Sequence, residues 1–131
     1  MPAFDLEPLL ERDPRYPREA YDFLMEALSI TQHHLGRSRA TSEAEQHVSA
    51  RELLEGFCQH AVAEFGLLAP AVLRLWGITE TGDVGNLVFN LIEIDVLTSQ
   101  PGDRREDFDN VFDLTQELLR DFAIHLEDVG S

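Results

Sequence analysis

The stretch HVSARELLEGFCQHAVAEFG, residues 47–66, constrains the fold of this chain more than any other. Ser49 is a good N-cap, and Glu52 stands three positions on, where its carboxylate can reach back to the Ser49 N–H. Val48 and Leu53 occupy the two places of a hydrophobic staple. At the far end Gly66 suits the left-handed conformation that ends a helix, and Pro70 opposes easy continuation. Between these signals the chain turns by ~100° per residue, which spreads Leu53, Leu54, Phe57, Cys58, Ala61, Val62 and Phe65 over roughly half the circumference. An apolar arc that wide must be covered by more than one neighbour. The spacing therefore predicts a central helix inside a helical domain.

The flanking segments supply candidates for those neighbours. Phe4, Leu6, Leu9 and Leu10 predict a short helix at about 4–12, broken by Asp13-Pro14-Arg15-Tyr16-Pro17 because proline disfavours helix at the residue before it. Pro17 can open a second helix, 17–35, with Ala20, Leu24, Ala27, Leu28, Thr31 and Leu35 on one face and Gly36 at its end. Residues 36–46 are small and polar and read as a surface loop. After the central helix come a short helix at about 70–76, with Leu73 and Trp76 facing inward, and Ile78 in a possible edge pairing. A helix at about 84–94 follows, capped by Asp83 and stopped at Asp95. Its buried face is Val84, Leu87, Val88, Leu91 and Ile92, while Asn86, Asn90 and Glu93 share the other side. Val96–Thr98 and Phe108–Phe112, joined by a polar turn headed by Pro-Gly, read as a β-hairpin. Asp113 and Gln116 signal a last helix, 114–126, with a stripe of Leu114, Leu118, Leu119, Phe122 and Leu126, and a frayed tail at 127–131.

The expected fold is thus mainly α with one small β-hairpin, in a single domain over 1–131. It comprises an N-terminal arm (1–16), the 17–35 helix, the 36–46 loop, a core at 50–112 and a C-terminal helix. Three helices and then a hairpin is the element order of a winged helix, and the passage from Ile92 through Asp103-Arg104-Arg105 resembles the recognition-helix-to-wing segment of some bacterial winged-helix regulators. A wider resemblance covers about residues 12–114. RDPRYPREAYDFLMEAL, HVSARELLEGFCQHAVAEFG, LRLWGI, DVGNLVFNLIEIDVLT and DRREDFDNVFDL together resemble an uncharacterised bacterial family best represented in planctomycetes and verrucomicrobia. Its members carry glycine where Asp95 stands, which agrees with a helix stop there. They tend to end soon after an acidic, aromatic segment, from which LTQELLRDFAIHLEDVGS departs. The resemblance implies a bacterial, cytosolic, single-domain protein and transfers no functional residue.

Charge and missing motifs narrow the function. Twenty-five acidic residues against ten basic ones give a net charge of −15, which repels phosphate backbones and anionic lipid at long range. All ten basic residues are arginine, so Schiff-base, P-loop and kinase-type lysine chemistries are excluded. One cysteine, Cys58, leaves no internal disulfide and fits a reducing compartment. The start, MPAFDLEPLLERD, lacks a signal pattern, and no apolar run approaches the ~20 residues that cross a bilayer, so a cytoplasmic protein with no membrane contact is expected.

Neither G-x-S-x-G, nor a glycine-rich phosphate loop, nor a spaced metal motif occurs. Cys58 and His60, two apart on a helix, point ~160° from each other, so they do not pair as ligands or as a catalytic couple. No cofactor, metal ligand or catalytic residue is assigned. The first expectation is a non-catalytic protein-interaction or adaptor module that docks a protein partner or itself. Its surface would be drawn from Tyr16, Tyr21, Phe89, Asn86, Asn90, Glu93, Arg104 and Arg105, because aromatic residues and arginine are favoured at interface centres. A first alternative is a winged-helix regulator binding DNA through the 84–94 helix and the Arg104-Arg105 wing, opposed by Glu93 and the overall charge. A second is a small metal-binding protein or enzyme using His34, His47 and His60 across helices.

Overall fold

The computed structural model describes residues 5–36, 47–99 and 102–130, with the side chains of 128–130 left aside. Among the described residues six α-helices run in order: α1 (Glu7–Arg12), α2 (Arg18–His34), α3 (Ala50–Phe65), α4 (Ala69–Leu75), α5 (Thr81–Glu93) and α6 (Leu114–Gly130). Short 3-10 turns stand at Gly66–Leu68 and Arg105–Phe108. The expected loop at 36–46 lies outside the described residues apart from Gly36, whose φ of +72° follows the end of α2.

α3 is the central element, as its sequence predicts. The Ser49 hydroxyl accepts the Glu52 N–H at 3.1 Å, and Glu52 accepts the Ser49 N–H at 3.0 Å. Leu54, Phe57, Cys58 and Ala61 are fully buried, with Leu53 and Val62 almost so. Burying a side chain such as Leu54 or Phe57 contributes about 1.5–3 kcal/mol each. α2 and α6 cover most of this arc, with α4, α5 and the Arg105–Phe108 turn closing the rest. Gly66 takes φ +56°, but the chain turns straight through 3-10 geometry into α4 and continues helically despite Pro70. Pro70 sits in the first turn of α4, where its missing N–H has no helical acceptor to lose. Phe23 of α2 gathers the aromatic part of the core, with Phe57, Phe65 and Trp76 at centroid distances of 5.3–5.5 Å.

The β-hairpin and the winged-helix sheet are corrected: among the described residues there is no strand. The N–H groups of Val96 and Leu97 both turn back to the Leu91 carbonyl, which folds this segment onto the end of α5. The expected return strand is a 3-10 turn at Arg105–Phe108 followed by bends. A buried backbone needs partners, and here a side chain supplies them in place of a ladder. Thr81 Oγ1 donates to the Phe108 carbonyl at 2.6 Å and accepts the Val111 N–H at 3.2 Å. Phe108 enters the core over Gly85, where any Cβ would lie 2.6 Å from the phenylalanine's own. Nor does Ile78 pair along an edge; its N–H goes to Leu73.

Other boundaries differ in detail. α5 begins one turn before the expected cap, with Asp83 inside its first turn, and stops as expected before Asp95, at φ +62°. α6 begins at its Asp113 cap, which accepts the Gln116 N–H at 2.9 Å, and continues helically to Gly130 instead of fraying at 127. Its stripe is narrower than expected: Leu114 and Leu118 are buried, whereas Leu119 and Leu126 are about half exposed. By length and composition alone the helical run Ala50–Leu75 is apolar enough to cross a membrane, contrary to the expectation of no such run. It contains the central helix of the fold, and the buried core helix of a globular protein meets the same criteria.

Candidate functional site

α5 carries two working faces. One bears Asn86, Asn90 and Glu93, and the N-terminal arm occupies it. The Tyr16 hydroxyl donates to Asp83 Oδ1 at 2.6 Å and accepts from Asn86 Nδ2 at 2.8 Å. Asn90 Nδ2 reaches Asp13 at 2.9 Å and the Tyr21 hydroxyl at 3.1 Å, and Glu93 pairs with Arg12 at 2.7 Å. Asp83 also accepts the N–H groups of Thr79 and Glu80, tying the start of α5 into the same network. Tyr16 and Tyr21 are fully buried. Burial, together with the neighbouring Asp83 carboxylate, pushes the Tyr16 phenol up to about 12. Asp13 lies well below the usual carboxylate range because Arg15 forks onto it at 2.7 and 2.8 Å and Asn90 adds a further donor. Asn86 and Asn90, expected on an open face, are therefore committed to holding the arm.

The other face of α5 lines a cleft of about 240 Å³. Val88, Phe89 and Ile92 of α5, Leu28 and Gln32 of α2, and Val48, Ala50 and Leu53 at the start of α3 line it. Val96, Leu97, Thr98 and Phe108 from the segment after α5 complete the lining. The rim is charged: His47 Nε2 stands 3.2 Å from Asp103, and Arg104 faces Asp107 at 3.8 Å. Among the described residues the lining holds no cysteine and no serine, and Thr98 provides its one aliphatic hydroxyl. Its chemistry is that of a small apolar depression edged by carboxylates, an imidazole and a guanidinium.

The expected interaction residues thus divide. Phe89 and Arg104 reach the cleft; Tyr16, Tyr21, Asn86 and Asn90 hold the arm; Glu93 answers Arg12. Arg105 turns away from Arg104, giving its Nε to Asn86 and Nη1 to Asp109. With no strand among the described residues to form a wing, and with both arginines met by acidic groups, the expected recognition helix carries no basic residue to offer DNA. The three histidines also divide, one against two. His47 belongs to the cleft and stands apart, whereas His34 and His60 both line a second groove, His60 there against Glu26. Cys58 is fully buried, and burial, with the nearby Asp121 charge, pushes its thiol far above the ordinary range, so it packs as a small core residue.

Sequence reasoning missed Asp13 and Asp83 as hubs of the arm network, and Asp103 and Asp107 as rim groups. For Asp83 a signal existed, since an acid in the first turn of a helix accepts free backbone N–H groups. For the other three, acidic residues are too common in this chain for any one to stand out. Comparison with models of known families, with curated proteins and with solved structures finds no match for this chain.

Proposed function

We propose that this chain is a non-catalytic interaction domain of the cytoplasm, whose cleft holds apolar anchor residues of a basic, amphipathic segment of a protein partner. The observation that carries this reading is the cleft's size and make-up. At about 240 Å³ it falls below the ~300–1,000 Å³ typical of pockets that engulf a cofactor or small-molecule substrate. It suits one or two anchor side chains, the form in which an interface concentrates its binding energy. Charge names the partner's sign. Asp103 and Asp107 line the cleft, Asp95 and Glu106 are exposed in the same segment, and the whole chain carries −15, so a basic segment is steered inward and an acidic one repelled.

The test is calorimetric titration of two synthetic amphipathic peptides that share an apolar face, one with arginines and one with glutamates on the polar face. The basic peptide should bind more weakly as salt rises, and Leu97→Arg should weaken it by roughly tenfold or more, the effect of one lost anchor. Equal binding of both peptides, no binding of either, or indifference to Leu97→Arg would overturn the reading. A dimer mass in solution that Leu97→Arg abolishes would replace the foreign partner with a second copy of this chain.

A further inference from the structure

His60 is buried to more than nine-tenths, on the margin of α3's apolar arc. Its ring stacks on Phe23, with centroids 4.5 Å apart and planes 20° from parallel, so its orientation is set by packing. The polar edge does not face the core: Nε2 stands 3.0 Å from Glu26 Oε1 of α2. Glu64, one helical turn beyond His60, brings a second carboxylate to the same place. One imidazole nitrogen and two carboxylate oxygens then lie within 4.8 Å of one another. His60 and Glu64 line a groove of about 420 Å³ that also includes His34 and, among the described residues, no arginine.

This donor set has a definite chemistry. Imidazole nitrogen and carboxylate oxygen bind Zn²⁺ at ~2.0–2.2 Å, which puts neighbouring ligand atoms of a tetrahedral site ~3.4 Å apart. The His60–Glu26 separation already falls near that value, and Glu26 and Glu64 are both exposed side chains. Mg²⁺ and Ca²⁺ prefer all-oxygen shells of six or more ligands, so a preset imidazole selects against them. Two carboxylates match the charge of one divalent ion, and the groove leaves the remaining coordination position to water. We propose that Glu26, His60 and Glu64 form a binding site for a single zinc ion, bridging α2 and α3. The site is separate from the cleft and does not depend on what the cleft binds.

The experiment uses the full chain without a histidine tag, stripped with a chelator and titrated calorimetrically with Zn²⁺ and, in parallel, Mg²⁺. One Zn²⁺ per chain should bind and raise the thermal midpoint, with Mg²⁺ weaker by orders of magnitude. Because His60→Ala removes a packed ring and can unfold the chain, the working variant is Glu26→Gln combined with Glu64→Gln. It should keep the metal-free midpoint and lose more than roughly 100-fold in Zn²⁺ affinity, since even an outer-shell partner can be worth that much. Glu11→Gln with Glu19→Gln, equal in charge removed, should leave binding unchanged. Failure to bind one equivalent, wild-type affinity in the Glu26/Glu64 variant, equal loss in the control pair, or Mg²⁺ binding as tight as Zn²⁺ would each overturn the site.

Discussion

Tyr16 and Asp83 stand 67 positions apart in the chain and share a 2.6 Å hydrogen bond, with the phenol fully buried. The bond fastens the arm after α1 to the first turn of α5, and Asn86 completes it by donating to the same hydroxyl. Asp83 would otherwise act only as a local cap; through Tyr16 its carboxylate also serves a long-range contact.

Tyr16→Phe keeps the ring and removes that junction. Asp83 Oδ1 and Asn86 Nδ2 each lose a partner in a half-buried setting, so the variant should lose about 1–3 kcal/mol of stability. Tyr21→Phe should cost less, because Asn90 keeps its bond to Asp13. Denaturant unfolding of the two single variants checks the ranking; equal costs, or a neutral Tyr16→Phe, would contradict the network.

Gly56 lies in the middle of α3, where alanine is intrinsically favoured by about 1 kcal/mol. Gly56→Ala should nevertheless destabilise the fold by about 1–3 kcal/mol, because a Cβ there overlaps Thr31 Oγ1 of α2. Thr31 cannot simply swing aside, since its hydroxyl donates to the Ala27 carbonyl at 2.7 Å. Adding Thr31→Ala should restore most of the loss, and a double-mutant cycle measures the coupling. Additive costs would mean that the two helices do not cross closely here.

Two carboxylates give stability opposite dependences on pH. Asp13, held low by Arg15, stabilises the fold above the ordinary carboxylate pKa of ~3.9, and that contribution is lost as pH falls below it. Asp121 of α6 is raised to about 6 by burial and by Glu117, and its Oδ2 has no hydrogen-bond partner among the described residues. Its contribution is complete below pH ~4 and lost as pH rises through about 6. Discounted for partial exposure, Asp121→Asn should stabilise the protein by about 1 kcal/mol at pH 8 and by almost nothing at pH 3. Asp13→Asn should destabilise at pH 7, and its gap to wild type should begin to narrow as pH falls below ~4. Unfolding midpoints measured from pH 3 to 8 test both signs; parallel curves for Asp121→Asn and wild type would remove the second.

Much of the helical framework is legible in the residues alone. The Ser49–Glu52 box, the Asp113 cap, the stop at Asp95 and the buried arc of Leu54, Phe57 and Ala61 all depend on groups within a few positions of one another. A helix spaces its partners at three and four residues, so those relationships are written directly into the order of the chain. The segment after α5 is where that reading failed. Val96–Thr98 and Phe108–Phe112 have strand-forming composition, but their preference is decided by whatever else can satisfy their backbone. Only the folded chain brings the Thr81 hydroxyl to Phe108 and Val111 and leaves Gly85 bare for the phenylalanine ring, and those two facts replace the hairpin.

The sites follow the same division. Sequence by itself established the missing lysines, the acidic surplus, the inert position of Cys58 and the candidate polar residues of α5. Tertiary structure decided which of those residues are spent on holding the arm, that Phe89 and Arg104 share a cleft with His47, and that His60 meets Glu26. The reason is reach: caps and periodic faces are short-range geometry fixed by helical rise and rotation. A cleft or a ligand cluster instead depends on the crossing of separate helices, which is set by the packing of side chains far apart in the chain.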